Sequence, residues 1–321
     1  MKTDDPTLEL FLNYACQAKC GFCYNPPIDD QLLRLELSFE QAAAALYQAS
    51  HGGTRRLNLH GGEVTLRDDL PKIVRLARKL GFIDITLVTN GVRLGDGRYA
   101  RSLASAGLTS ARLSIHAPNA PAHDAIVQVP GAFVRARRAM AHMEKLGVAV
   151  GINFVLIAEN ASLLPEFLKM FVVDAGVKDV IVYFPHERGM MALNAARLSM
   201  SYQDTHAHLL DAAAMLTAAG RRDALKIANV PPCAAPELLD VLLDWERSHE
   251  GSPAAMLHPE GHESDLSAMK DGQRRPIAAC RSCTLSARCR GVESEYLRRH
   301  GDAALRPLAA VPFLPPVGTR R

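Results

Sequence analysis

The sequence predicts an α/β protein: a partial (β/α)6 TIM-type barrel followed by a small C-terminal cysteine-rich domain. Three observations carry this. Short apolar runs alternate with longer amphipathic stretches through the first 200 residues. That rhythm breaks off near residue 200. Four of the seven cysteines then fall in the last third of the chain. A length of 321 residues suits two domains. We place the core at residues 1–220 and the cysteine-rich domain at 221–321.

The strand candidates are LELFLN (8–13), RLNLH (56–60), IDITLVT (83–89), ARLSIH (111–116), VAVGINFVLI (148–157) and DVIVYF (179–184). Helical segments lie between them. SFEQAAAALYQAS opens with a Ser38 to Gln41 capping box. DDLPKIVRLARKLG starts acidic and stops at Gly81, which is ordinary helix punctuation. GAFVRARRAMAHMEKLG and SLLPEFLKMFVVDAG also end at glycines. Six strand–helix units imply a parallel sheet with right-handed crossovers. With one side open, they suit a partial barrel whose site lies at the C-terminal strand ends. Beyond residue 200, DTHAHLLDAAAMLTAAG reads as a helix, LKIANV as a short strand and APELLDVLLDWERSHE (235–250) as another helix. Residues 251–276 read as a loop, and the chain closes on a solvated Arg320-Arg321 tail.

A net charge of +3 is too small to point to nucleic acid or a membrane surface as a partner. No apolar run nears the ~20 residues that span a bilayer. The start, MKTDDPTLEL, lacks a signal-peptide core, so a cytoplasmic location is expected. An odd number of cysteines without a secretory signal argues against a disulfide framework.

Cys16, Cys20 and Cys23 follow the first strand as C-x3-C-x2-C. Residues at i, i+4 and i+7 share one helix face, so a core stripe is one reading. A zinc site completed by His60 or His116 is another. An iron–sulfur cluster held by three thiolates, with one iron left open, is a third. The stretch CQAKCGFC, with aromatic Phe22 before the last cysteine, resembles the signature of the radical S-adenosylmethionine (SAM) enzymes. Gly61-Gly62-Glu63 after the second strand is similar to that family's GGE motif. TNG (89–91), LSIH ending the fourth strand and INFVLIAEN in the fifth agree with it. The resemblance covers roughly residues 7–200.

The resemblance implies that Cys16, Cys20 and Cys23 hold a 4Fe–4S cluster whose open iron chelates SAM. Phe22 is then expected near the adenine, Gly61, Gly62 and Glu63 at the methionine amino group, and Asn90, Ser114 and Asn153 among the SAM-binding residues. A one-electron cleavage of SAM would give a 5′-deoxyadenosyl radical that abstracts a substrate hydrogen atom. Relatives commonly carry Arg in a D-x-x-R-G segment after the fourth strand. Here Val127 holds that position, with Arg112 and Asn153 as substitute partners for the SAM carboxylate.

The second group is Cys280-x2-Cys283-x5-Cys289, with Cys233 upstream in NVPPC. It resembles the SPASM or twitch extension of radical SAM enzymes, and four cysteines allow at most one auxiliary 4Fe–4S cluster. A four-cysteine zinc site has the same ligands and remains the alternative. Three plus four account for all seven cysteines. A fully ligated auxiliary cluster suits electron transfer, hence a net oxidation: dehydrogenation or cross-link formation. The rival readings are a redox-neutral epimerase using a C-terminal cysteine as hydrogen donor, and a non-catalytic metal-binding interaction protein.

For the substrate, a peptide or a small natural-product scaffold, the candidates are His60, His116, Tyr183, His186, Glu187 and Arg188. An electron donor such as flavodoxin or ferredoxin is the expected partner. GMMALNAARLSM (189–200) reads as core packing. The first strand starts at residue 7, so no leader-peptide recognition domain is expected ahead of it. No second doubly wound domain is expected, which disfavours a cobalamin-dependent methylase.

Overall fold

The computed structural model describes residues 6–247 and 255–309. The acidic start at residues 1–5 and the Arg320-Arg321 tail lie outside them. Seven strands run parallel: β1 (Thr7–Phe11), β2 (Arg56–His60), β3 (Asp84–Thr89), β4 (Ser110–Ser114), β5 (Ala149–Val155), β6 (Val180–Tyr183) and β7 (Leu225–Ala228). The first six are the predicted barrel strands. β8 (Ala255–Leu257) adds parallel to the free edge of β1, and β9 (Glu263–Asp265) adds antiparallel to β8. The sheet order is β7-β6-β5-β4-β3-β2-β1-β8-β9. A separate hairpin pairs β10 (Arg274–Arg275) with β11 (Val292–Glu293).

Helices connect the strands. They are α1 (Phe39–His51), α2 (Leu70–Lys79), α3 (Gly97–Ala106), α4 (Ala120–Val127), α5 (Ala132–Lys145) and α6 (Leu164–Leu168). After β6 come α7 (Gly189–Leu193), α8 (Ala195–Leu198) and α9 (Tyr202–Ala218), then α10 (Leu266–Gly272) and α11 (Ser294–His300). Local chemistry sets their ends as the sequence indicates. Ser38 accepts from the Gln41 amide and Gln41 answers onto Ser38, so α1 starts with a closed capping box. Gly81, at φ +88°, turns the chain out of α2.

The strands alternate strictly between two faces. Leu8, Leu10, Leu57, Leu59, Ile85, Leu87, Leu113, Phe154 and Val182 are buried in one core. The opposite face carries Glu9, Asn58, His60, Thr86, Arg112, Ser114, Asn153, Tyr183 and Lys226, each only partly buried. That polar face is the inside of a rolled sheet. The charge of Glu9 on β1 reaches Tyr183 on β6 although β2 to β5 lie between them in the sheet. The lumen is therefore largely polar, and the apolar layer lies outside it.

Two readings of the last third need correction. Residues 235–250 are expected from sequence to form a helix. Instead a short 3-10 turn at Pro236–Leu238 leads into an extended segment beside β7. There Ile227 N–H donates to the Val241 carbonyl (2.9 Å) and Leu243 N–H to the Ile227 carbonyl (2.7 Å). Leu238, Leu239, Val241, Leu242 and Trp245 are all buried. Their spacing would suit one helix face equally well; the free edge of β7 takes the segment as extended chain instead. Residues 251–276 are expected to be a loop, yet they hold β8, β9, α10 and β10. The open side of the barrel is stitched across by this region. Lys270 on α10 bonds Asp244 (2.7 Å), and Arg290 bonds Asp271 (2.7 Å) and the Glu246 carbonyl (2.8 Å).

Candidate functional site

The first cysteine group lies in the loop after β1, at the C-terminal end of the sheet. Its seat is built by backbone. Gly62 N–H donates to the Asn13 carbonyl and Glu63 N–H to the Ala15 carbonyl, both at 2.7 Å. The glycines are required by this contact. A Cβ on Gly61 would stand 2.5 Å from the Asn13 carbonyl oxygen, and one on Gly62 2.5 Å from that of Ala15. The resemblance assigns these glycines to close approach of a ligand; the approach seen here is that of the cysteine loop itself.

Glu63 is fully buried. Its carboxylate accepts from the Thr65 amide (3.0 Å), Thr65 Oγ1 (2.5 Å), Thr89 Oγ1 (2.7 Å) and the Asn90 amide (2.7 Å). Thr65 and Thr89 are not among the sequence candidates. Thr89 sits in the TNG segment and Thr65 closely follows GGE, so the signal for both lay beside the motifs. Burial raises the Glu63 carboxyl, and these donors oppose the rise. Asn90 faces the cysteines. Its Oδ1 accepts from Gln17 Nε2 (3.1 Å), one residue along from Cys16.

Within the loop, Cys16 Sγ accepts from the Ala18 amide (3.4 Å). Burial, with the charges of Glu63 and Cys23, pushes Cys16 up to about 11. Burial and then the charges of Cys16 and Cys23 push Cys20 up. Three partly buried thiols thus crowd one another. Such a set becomes stable as thiolates when a soft metal group supplies positive charge. The residues present fit an all-sulfur cluster. Among the described residues no three metal-ligating side chains close to single-ion distance.

Phe22 packs edge-on against His116, with ring centroids 4.7 Å apart. His116 Nδ1 accepts from the Val155 amide (3.2 Å), and His123 Nδ1 accepts from the His116 amide (3.1 Å). Both rings therefore carry their proton on Nε2. Burial lowers His116 far below the usual imidazole value and His123 to about 4. Val127 is buried in the apolar cluster that also takes in Cys20, Phe22, Met191 and Leu198. It meets the loop by packing and by its carbonyl, which accepts from the Lys19 amide (3.1 Å). Arg112 is held by Asp179 and by Asn153 Oδ1 (2.9 Å), and Ser114 stands in register beside Asn153.

The expected core stretch 189–200 does pack, and its partner is the cysteine loop. Met191 N–H donates to the Cys23 carbonyl (3.1 Å) and Met190 N–H to that of Asn25 (2.9 Å). Gly189, at φ +55°, lies where a Cβ would strike the backbone of Tyr24 and Asn25.

The candidates after β6 divide. Tyr183 faces the lumen, and burial with nearby acidic charge pushes its phenol up to about 12. His186 and Glu187 turn to the C-terminal segment. His186 Nδ1 meets Glu293 Oε1 (2.5 Å), while the buried Glu187 carboxylate holds Arg299, His300 and Ser199. Arg188 stands at the N-terminal end of α7 without a side-chain capping bond. His60 faces the lumen, and burial takes its pKa down to about 4.

The second cysteine group converges although 47 residues separate Cys233 from Cys280 (280 − 233). Cys233, Cys280, Cys283 and Cys289 line one cavity of about 520 Å³, counting its open mouth, with Pro231, Pro276 and Ile277. Burial and the charges of Cys289, Cys280 and Cys283 push Cys233 up to about 12. Backbone amides point at two of the sulfurs, Ile277 N–H at Cys280 (3.4 Å) and Gly291 N–H at Cys289 (3.3 Å).

Comparison with known proteins bears on the first part of the chain. The family model described as the radical SAM superfamily matches residues 11–171. A PqqA peptide cyclase of Xanthomonas euvesicatoria pv. vesicatoria is 32% identical over 161 residues, 50% of this chain and 42% of that protein. A probable GTP 3′,8-cyclase of Saccharolobus solfataricus is 32% identical over 185 residues, 57% of this chain and 58% of that one. The matched stretch thus spans less than two-thirds of either relative. In overall fold the chain is similar to Streptococcus suis SuiB bound to the precursor peptide SuiA, with a TM-score of 0.69 over 95% of this chain and 75% of that one at 16% identity. It is also similar to anSMEcpe with bound AdoMet, with a TM-score of 0.65 over 95% and 90% at 16% identity. No helix among the described residues is long and apolar enough to cross a membrane. With its match through residues 11–171, covering the cysteine loop, β2 and the GGE turn, this chain belongs to the radical SAM superfamily.

Proposed function

We propose that this protein is a radical SAM enzyme that modifies a peptide by a net oxidation, dehydrogenation or cross-link formation, aided by one auxiliary 4Fe–4S cluster. The observation that carries the reading is the convergence of two all-thiol sets, one on the Gly61-Gly62 seat at the sheet's C-terminal end and one around the C-terminal cavity. Cys16, Cys20 and Cys23 would hold the first cluster and Cys233, Cys280, Cys283 and Cys289 the second. When bound, the first cluster supplies the electron that cleaves SAM and so gives access to hydrogen-atom abstraction. The chain's own part is placement. Glu63 and Asn90 fix the β3 end against the cysteine loop. Phe22, held by His116, offers an aromatic surface beside Cys23 for the adenine. Residues 189–198 cover the loop and exclude water. Residues 221–321 form the auxiliary unit, sharing β7 and β8 with the barrel.

The names of a peptide cyclase and of SuiB bound to its precursor peptide support the peptide reading, and that of the probable GTP 3′,8-cyclase supports a nucleotide as the rival substrate. An electron donor of the flavodoxin or ferredoxin type would serve the first cluster. Anaerobic reconstitution with iron and sulfide counting tests the two-cluster reading. About seven to eight irons per chain support it, and about four irons with one zinc remove the auxiliary cluster.

A further inference from the structure

Glu9 is a lumen residue that none of the motifs explains. It lies two positions before the end of β1, on the polar inner face, with 13% of its side chain exposed. That places it about 7 Å below the strand end where the cysteine loop begins. Oε1 accepts from Asn58 Nδ2 at 2.7 Å. Oε2 faces His60 Nε2 at 3.4 Å, but that buried nitrogen makes no hydrogen bond among the described residues. His60 is also a poor counter-ion, since burial keeps the ring neutral.

The nearby cations are engaged elsewhere. Lys270 bonds Asp244 (2.7 Å), and both Arg112 and Lys226 bond Asp179. Glu9 is therefore a carboxylate in a partly desolvated lumen, hydrogen-bonded through one oxygen; the charge of Lys270 acts on it, but no lysine or arginine among the described residues bonds it. Folding gains little from such a group, because desolvation penalises its charged form. A group from which folding gains little, turned to the lumen beside an unbonded buried histidine nitrogen, fits a binding role.

We propose that Glu9, with His60 beside it, anchors a cationic side chain of the substrate, the ammonium of a lysine or the guanidinium of an arginine. This rests on the peptide reading above and narrows it. An extended lysine entering past His60 and Tyr183 has the reach to bring its head group to Oε2, where the charge-assisted bond missing from the free protein forms. The aliphatic stem of that residue then lies at the level of the strand ends, closest to the cysteine loop.

The test is isothermal titration of the anaerobically reconstituted full chain with SAM present. The probes are four tripeptides, acetyl-Gly-X-Gly-amide with X as lysine, arginine, norleucine or glutamate. The lysine or arginine peptide should bind about tenfold or more tighter than the norleucine one, with the glutamate peptide weakest. Glu9→Gln keeps an oxygen for Asn58 and removes the charge. It should abolish the preference for a cation while the thermal midpoint holds or rises. A purely structural Glu9–Asn58 link predicts the reverse, a lowered midpoint with the preference intact. Equal binding of all four peptides, no measurable binding of either cationic one, or a preference that survives Glu9→Gln would overturn the proposal. SAM cleavage by the wild-type sample is scored separately, so failure of the enzyme reading and failure of the anchor give different results.

Discussion

Replacing Gly62 by alanine is the sharpest perturbation the structure offers. The new Cβ would sit 2.5 Å from the Ala15 carbonyl oxygen and 2.6 Å from the Tyr14 carbonyl carbon. Both are backbone atoms, so no side chain can swing away. Restoring a normal contact requires the cysteine loop to recede by roughly 0.7 Å. That stretches the 2.7 Å bonds from Gly62 to Asn13 and from Glu63 to Ala15. Overpacking costs about 1–3 kcal/mol, and each weakened bond adds up to about 1 kcal/mol. We expect Gly62→Ala to lose about 3 kcal/mol in urea unfolding and to retain less iron after reconstitution. Gly53→Ala is the control. Gly53 has φ +85°, but a methyl group there would meet nothing within 4 Å, so only backbone strain of about 1 kcal/mol is expected. A Gly62→Ala protein no less stable than Gly53→Ala would refute the idea that these glycines seat the loop.

Three further outcomes follow from the same geometry. Glu63→Gln turns one acceptor of the four-donor carboxylate into a donor facing donors; it should cost about 2–3 kcal/mol in urea unfolding, and a loss under about 1 kcal/mol would contradict the bonding described. His123 has its folded pKa depressed from 6.5 to about 4, so the unfolded chain takes up the proton first; its contribution is complete above about pH 6.5 and falls by about 3 kcal/mol as pH drops through that window. Stability measured between pH 7 and 4 should therefore show a shallower slope in His123→Gln, and an unchanged slope would refute the assignment. Glu187→Ala leaves Arg299 and His300 without their buried partner; limited proteolysis should cut near residues 294–300 at least about tenfold faster than in wild type, and equal rates would show that Glu187 does not clasp this helix.

The barrel is legible in the sequence because its strands alternate with helices whose caps are written locally, as at Ser38 and Gly81. The last third is harder for a physical reason. Residues 235–247 carry an apolar stripe at helical spacing between charged residues, and only the free edge of β7 decides for extended chain. β8 and β9 are three residues each, too short for periodicity to register. At the site, the cysteines and the GGE turn stand out as motifs, but what each residue touches does not. Glu63 reads as a ligand-facing carboxylate and is spent on Thr65, Thr89 and Asn90. His186 and Glu187 read as barrel-mouth residues, yet their partners lie more than a hundred residues on, at Glu293, Arg299 and His300. Glu9 and Asn58 are visible only as polar letters at alternate positions of LELFLN and RLNLH. That alternation, in strands expected to be buried on both faces, is the available sign of a polar lumen.

The central claim is that Cys16, Cys20 and Cys23 hold a cluster able to cleave SAM. Anaerobic incubation of the reconstituted protein with SAM and dithionite, followed by chromatography for 5′-deoxyadenosine, tests it most directly. The wild-type protein should form 5′-deoxyadenosine, and Cys20→Ser none above background. Its absence from the wild type, or equal amounts from both proteins, would contradict the account.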